Sequence, residues 1–260
     1  MRLDKFLAEA SVGTRKTIRT YVKEGKVCVN EQVVSEAAME IDEAVDIVSY
    51  LGQQVIHTGK VYYMFHKPAG CVTARKDPVH PTVLDYFDQV NSDGLFPVGR
   101  LDKDTEGLLV LTNDGLFNHQ LMDPENHVAK KYFFWAFGIL DIKDKTRLET
   151  GICIREDEQL TKPSKIEILK QGSYHELKDE MAIGTLIKKK KNLYQQSVVS
   201  GYLTISEGRK HQVKRMLKAV GCYVVYLQRV AIGEVVLDTS LEKGHYRMVT
   251  QEELRKLLQK

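Results

Sequence analysis

The spacing of apolar residues changes character once along this chain, between residues 48 and 60, and that change excludes a single uniform fold. Before it, Leu3, Phe6, Leu7 and Ala10 recur at helical spacing, Gly13 interrupts them, and Thr14 is placed to cap a second helix. "KVCVNEQVV" then alternates as a hairpin around Asn30-Glu31. From Lys60 onward the texture is that of strands and short helices. "VYYMFHKPAG" is a buried strand running into a turn, "HPTVLDYF" a short helix, "GLLVLT" another strand, "GLFNHQLM" a helix ended by Asp123-Pro124, and "KKYFFWAFG" a strand of alternating aromatics. The expected class is α+β, with a small domain over residues 1–48, a linker over 49–59 ("LGQQVIHTG" being 51–59) and a larger domain over 60–260. At 260 residues, 43% of them hydrophobic, the chain is long enough to fill both cores.

A formal charge of +3 says little until the chain is divided. Residues 1–30 carry seven basic side chains (Arg2, Lys5, Arg15, Lys16, Arg19, Lys23 and Lys26) against three acids, whereas 31–48 carry six acids and no Lys or Arg. Arg15, Arg19 and Lys23 share one helix face, opposite Ile18, Tyr21 and Val22. Such a row is ordinarily just a solvated face. Here Arg2 and Lys5 precede it, Lys26 follows and no acid alternates along it, which favours phosphate binding. A second basic row follows "ISEG": Arg209, Lys210, Lys214, Arg215 and Lys218 with His211, and no acid from 208 to 218. His211, Lys214, Arg215 and Lys218 face one way, and Val213, Met216, Leu217 and Val220 the other, before Gly221 stops the helix. His211 by itself reads as a structural histidine. This second row, too, reads as a phosphate rail. No apolar run of about 18 residues and no signal-like start are present, so a cytoplasmic protein without a membrane partner is expected. Cys28, Cys71, Cys153 and Cys222 are scattered among apolar residues and read as reduced core thiols, with neither a zinc site nor disulfides.

The densest segment is "GRLDKDTEGLLVLTNDG", residues 99–115, with four acids and three glycines. Asp102, Asp104, Glu106 and Gly107 fall on positions 1, 3, 5 and 6 of a calcium-binding EF-hand loop. Position 12 is Asn113 where a bidentate Glu is needed, and "LLVLT" reads as a strand. A solvated acidic turn explains Glu106 but not the crowding of Arg100, Asp102, Lys103 and Asp104. The third reading, the mounting of a reactive carboxylate, stays open on these residues alone.

The N-terminal stretch "RLDKFLAEASVGTRKTIRTYVKEGKVCVNEQVV" resembles the S4 RNA-binding domain, with Glu31 where glycine is commoner. The remainder resembles the RsuA-type pseudouridine synthases in "HKPAG", the RLD segment, "HVAKKYFFWAFG", "LTKPSKIEIL", "EGRKHQVKRM" and "YRMVTQEEL". The resemblance covers nearly the whole chain. It implies a catalytic domain built on a mixed, mainly antiparallel sheet, and a monomeric rRNA-modifying isomerase. It implies Asp102 of the RLD triplet as the essential catalytic residue, Tyr132 as its aromatic partner and Lys214 as its basic partner. Arg100, Asp104 and Thr105 become the neighbourhood of Asp102, and Arg2, Lys5, Arg15, Lys16, Arg19, Lys23, Lys26, Arg100, Arg209, His211 and Arg215 become RNA contacts. The implied partner is ribosomal RNA or a small-subunit assembly particle, with uridine 516 of 16S rRNA the expected target and 23S rRNA the alternative within the family.

The chemistry suits these residue types. Isomerising uridine to pseudouridine breaks the N1–C1′ bond, turns the uracil and joins C5 to C1′, importing no group, so no cofactor and no metal are expected. A carboxylate serves either attack at the sugar or proton removal that yields a glycal, and a nearby cation favours its ionised form. The base must leave its stack, and an aromatic such as Tyr132 gives it a surface to lie on. Two readings of other classes compete. A non-catalytic RNA-binding assembly protein needs only the basic helices, and a metal-dependent RNA hydrolase needs clustered acids. Residues 171–200 look long and irregular, and the lysine run at 188–191 reads as a solvated hairpin tip in preference to an added RNA contact.

Overall fold

The computed structural model describes residues 1–10, 12–55, 59–88, 90, 92, 94–156, 159–181 and 195–258, and the lysine run at 188–191 lies outside them. Helices α1 (Leu3–Glu9) and α2 (Arg15–Lys23) form where the spacing predicts, and the Thr14 side chain caps α2 by accepting from the Thr17 N–H. Their apolar faces, Leu3, Phe6, Leu7, Ile18 and Val22, close on Val27, Val29, Ile41 and Val48 in a core of their own. Strands β1 (Val27–Val29) and β2 (Gln32–Val33) turn through Asn30 and Glu31, with φ of 50° and 66°, as a two-residue hairpin turn of this hand requires. The span 49–59, expected as a linker, is largely built into this unit. Strands β3 (Val48–Tyr50) and β4 (Gln53–Gln54) extend the sheet in the order β2-β1-β3-β4, and Tyr50 and Val55 pack on its core. Their turn is made by Leu51-Gly52, both at positive φ. Leucine rarely takes that conformation, so the pair carried no turn signal.

The larger unit is a nine-stranded sheet assembled from β5 (Tyr62–Lys67), β6 (Phe96–Val98), β7 (Glu106–Thr112), β8 (Lys130–Phe137), β9 (Lys165–Ser173), β10 (Ser197–Ile205), β11 (Tyr223–Ile232), β12 (Val235–Val236) and β13 (Tyr246–Met248). The main order is β13-β5-β7-β11-β8-β10-β9, with β6 paired to β7 and β12 to β11. All these strand pairs are antiparallel except β7 with β11, which run parallel over Glu106 with Gln228 and Gly107 with Arg229. Gly107 permits that meeting: its φ is 106°, and a Cβ there would lie 2.2 Å from the Arg229 carbonyl oxygen. Between Glu106 and Thr112, the run Leu108 to Leu111 of β7 is apolar without alternation because both faces are covered. Leu109 and Leu111 enter one core with Phe134 of β8, Leu148 of α4 (Ile142–Thr150) and Val213 and Met216 of α6 (Gln212–Ala219). Leu108 and Val110 enter a second core with Phe117 and Leu121 of α3 (Gly115–Met122) and Leu257 of α7 (Gln251–Leu258).

Three expectations change in detail. "HPTVLDYF" holds only a 3-10 turn over Val83–Tyr86, closed by a Thr82–Asp85 capping box. The described part of 171–200 is regular, since β9 runs into α5 (Tyr174–Leu177) and β10 pairs antiparallel with β9. Cys71 and Cys222 are buried thiols, but Cys153 is exposed.

Candidate active site

The acidic segment is a turn fastened from below. Lys67 ends β5 directly opposite Gly107, and its side chain is fully buried. Its ammonium donates to the carbonyls of Pro68 (3.0 Å), Asp102 (3.1 Å), Lys103 (3.4 Å) and Thr105 (2.9 Å). Burial pushes its pKa below the ordinary lysine value, against the pull of Cys71 and of Asp104, Glu106 and Asp102. The Thr73 hydroxyl donates to the Leu101 carbonyl at 2.7 Å and accepts the Leu101 N–H at 3.1 Å, and the Gly70 N–H donates to the Lys103 carbonyl. Residues 101–105 are thus pinned to the loop that follows "HKP". Backbone groups are spent inward and the side chains of Asp102 and Asp104 stand outward.

Helix α6 meets that turn from the other side. Lys214 Nζ lies 3.1 Å from Asp102 Oδ2 and 2.5 Å from Asp104 Oδ1, and His211 Nε2 lies 3.5 Å from Asp102 Oδ1. The Asp102 side chain keeps 26% of its surface and Lys214 24%, so the pair is neither sealed nor fully solvated. Burial raises the carboxyl of Asp104, but the hydrogen bond and charge of Lys214, with His211 behind, outweigh it and leave that group below the usual carboxylate value. The calcium reading fails here. Asp104 turns to Lys214, while Glu106 begins β7 and takes the Tyr226 hydroxyl at 2.9 Å and Lys243 at 2.7 Å. Among the described residues, no group of three or more His, Cys, Asp and Glu is placed to hold a metal.

Tyr132 lies on β8, across from Arg229 on one side and Leu203 on the other. Its ring is buried in the same core cluster as Leu101 and Val213, the residues just before Asp102 and Lys214. The structure therefore brings Asp102, Lys214, His211 and Asp104 into contact and sets Tyr132 in the layer that supports them. Thr105, expected near RNA, is buried, and its hydroxyl has no partner among the described residues.

The basic rows are less uniform than the spacing suggested. Arg15, Lys16, Arg19 and Lys23 are exposed, and Lys5 lies 4.0 Å from Glu9. Arg2 binds Asp4 through Nε at 3.1 Å and Nη2 at 2.8 Å, and Lys26 pairs with Glu24 at 2.6 Å. Arg100 is exposed and Arg215 half-buried. Arg209 is committed inward: it donates to the carbonyls of Gln159 (2.6 Å) and Leu160 (2.8 Å) and pairs with Glu207. His211 stands just before α6, so the helical face assigned to it begins one residue later.

Two buried cations escaped the sequence reading. Lys67 ends an apolar strand, and a lysine in that position is a signal of a buried ammonium that spacing alone does not decode. Arg229 lies within β11 and donates from Nε to the Leu108 carbonyl at 2.8 Å, while its buried Nη2 has no partner among the described residues.

Residues 61–219 match the RNA pseudouridylate synthase family model and residues 1–47 the S4 domain model. The chain is 39% identical over 259 residues to the uncharacterized RNA pseudouridine synthase YtzG of Bacillus subtilis, covering 99% of this chain and 98% of that protein. It is 36% identical over 261 residues to ribosomal small subunit pseudouridine synthase A of Haemophilus influenzae, covering 99% and 100%. A crystal structure of a pseudouridylate synthase superposes with a TM-score of 0.64 at 35% identity, covering 99% of each chain.

Proposed function

The chain belongs to the RNA pseudouridylate synthase family, and from that footing we propose that it isomerises one uridine of small-subunit ribosomal RNA, uridine 516, with Asp102 acting on the sugar. The observation that carries the proposal is the Asp102 carboxylate, partly open to solvent, held at 3.1 Å by Lys214 on a turn whose carbonyls are tied down by Lys67. A group that must meet a flipped nucleotide needs an open side and a fixed base.

The reaction makes few demands beyond that. The C1′–N1 bond breaks with its electron pair leaving on uracil, the ring turns until C5 faces C1′, and the new bond forms as C5 releases its proton and N1 acquires one. Asp102 serves either by adding to C1′ or by taking the proton on the neighbouring carbon to give a glycal. Lys214 neutralises and orients it, and carries positive charge to the place where an RNA strand would lie. Tyr132 supports the base, and the exposed cations of α2 dock the RNA backbone away from the reaction. Small-subunit RNA is favoured because relatives matched end to end carry that substrate in their names.

Tritium release from C5-labelled transcripts of small-subunit and large-subunit rRNA, followed by mapping of the pseudouridines formed, tests both levels. Release from small-subunit RNA with one new pseudouridine at 516 is the expected result. Release from large-subunit RNA alone would move the target, and release from neither, as free RNA or as assembly particles, would end the proposal.

A further inference from the structure

Among the groups that reach the Asp102 carboxylate, His211 has a conformation that its own helix does not explain. It precedes α6 at φ 53° and ψ 31°, a left-handed conformation that glycine and asparagine enter far more readily. Its side chain makes no capping hydrogen bond to the helix. With 49% of that side chain exposed, packing does not account for it either. What the unusual backbone accomplishes is placement: Nε2 comes to 3.5 Å from Asp102 Oδ1, while Lys214, three residues on, comes to 3.1 Å from Oδ2. Left-handed conformations at non-glycine residues are retained where the surrounding structure needs them, and functional sites are where they gather.

We infer that His211 is a positioning residue for Asp102, engaging Oδ1 while Lys214 engages Oδ2. This role rests on the synthase reading given above. The terminal torsion of an aspartate is broad and two-fold, so a single cation on one oxygen leaves the plane of the carboxylate free to rock. A second group set against the other oxygen, His211 Nε2 at 3.5 Å, restricts that rocking. Asp104 extends the arrangement by holding the far side of Lys214, so that Lys214 is itself kept from swinging away.

The competing role for the same side chain is a phosphate contact continuing the basic row of α6, and the two roles are separable. His211→Gly and His211→Asn both suit the left-handed backbone, so each should fold, and the glycine variant should melt no lower than the native protein. Single-turnover tritium release is measured at saturating small-subunit rRNA, with Kd and its salt dependence measured alongside. The expected result is a chemical step slowed roughly tenfold to a hundredfold in both variants, the range a small misplacement of a reacting group produces. RNA affinity and salt slope should stay unchanged. Added imidazole should restore part of the His211→Gly rate and leave Lys214→Ala as slow as before. Undiminished chemistry, or reduced affinity with a shallower salt slope, would overturn the positioning role. If the native protein itself released no tritium, the synthase reading would fall and this role with it, whereas an active native protein beside an unaffected His211→Gly variant removes this role alone.

Discussion

The tetrapeptide Arg-Leu-Asp-Lys occurs twice, at residues 2–5 and 100–103, and the two copies are put to opposite uses. Both bury their leucine, Leu3 in the N-terminal core and Leu101 in the large one. In the first copy Asp4 is completely buried, gripped by the neighbouring Arg2 at 2.8 Å and approached by Arg19 at 3.8 Å. The Arg2 hydrogen bond, against the opposing effect of burial, holds its carboxyl below the ordinary value. In the second copy Asp102 stays partly open, its own Arg100 points to solvent, and its partners Lys214 and His211 come from more than 100 residues away. The first copy lies at the start of a helix, and the second on a turn whose backbone is bonded to Lys67. A carboxylate whose hydrogen-bonding capacity is used up by its sequence neighbours organises cations. One that is held from a distance and left open on one side can meet a substrate.

The largest expected effect comes from the same substitution made in each copy. Asp102→Asn should lower turnover by roughly a thousandfold or more, the scale seen when a group acting at the reacting atoms is removed, with Tm and rRNA affinity unchanged. Asp4→Asn should lower Tm by several degrees and weaken RNA binding by loosening Arg2 and Arg19, while turnover at saturating RNA persists. Thermal melts and tritium release on both proteins check this. If Asp102→Asn lost stability while Asp4→Asn lost only chemistry, the contrast between the copies would be reversed.

Next in size is the fastening of the second copy. Lys67→Met keeps the shape of the side chain and deletes the charge, leaving the carbonyls of Pro68, Asp102, Lys103 and Thr105 without that donor. A loss on the order of 3 kcal/mol or more in unfolding free energy is expected. Turnover should fall too, since Asp102 rides on the loosened turn. A variant as stable as the native protein would show that the turn holds itself, and that Lys67 contributes nothing to the difference between the copies.

Much of this was legible before the fold was known, but unevenly. Helices α1, α2 and α6 follow from a period of 3.6 and strand β8 from alternation, because each has a face committed to a core, whereas β7 follows from an unbroken apolar run with both faces covered. The β3–β4 hairpin was missed since its turn uses Leu51-Gly52, a pair with no residue-type signature at the first position. At the site, the resemblance pointed to Asp102 and Lys214, which the structure places 3.1 Å apart. A helical wheel says nothing of His211, which precedes the helix in a left-handed conformation, so its approach to Asp102 could not be read from spacing. Arg209 read as an RNA contact because spacing cannot see its acceptors, the carbonyls of Gln159 and Leu160, 50 and 49 residues away. Lys67 belongs to the same class: its acceptors are carbonyls, and carbonyls leave no trace in composition.

A smaller effect distinguishes buried from exposed cations by pH. Lys130 stands two residues before Tyr132 on β8, where burial, and then the charge of Arg229, push its pKa down to about 8. The ordinary lysine value holds in the unfolded chain, so between pH 8 and that value the unfolded state binds more protons than the folded one and stability rises with pH. Below about 8 the cost of the buried charge is present in full. The part due to Lys130 should amount to no more than about 3 kcal/mol and should be lost in Lys130→Met, which leaves the part that Lys67 contributes. Denaturant melts from pH 7 to 10 check it, and an identical rise in the variant would assign the effect to another group.

The smallest expected effect tests the exposed row that the first copy supports. Arg15, Arg19 and Lys23 project from α2 into solvent, and replacing all three with alanine leaves the Arg2 bonds to Asp4 in place, so the N-terminal core should hold. For every phosphate that the triple variant no longer neutralises, the log-log dependence of RNA affinity on salt should flatten by roughly 0.7 to 0.9 of a unit, while turnover at saturating RNA stays at the native value. Lys214→Ala should do the reverse, lowering turnover more than affinity, because Asp102 and Asp104 lose the ammonium they share. Single-turnover kinetics across a salt series separate the two variants. A triple variant with native affinity and slowed chemistry would mean that α2 acts on the reacting nucleotide and not on the backbone of the RNA. The N-terminal carboxylate and its arginines would then belong to the catalytic site, and the division between the two copies would dissolve.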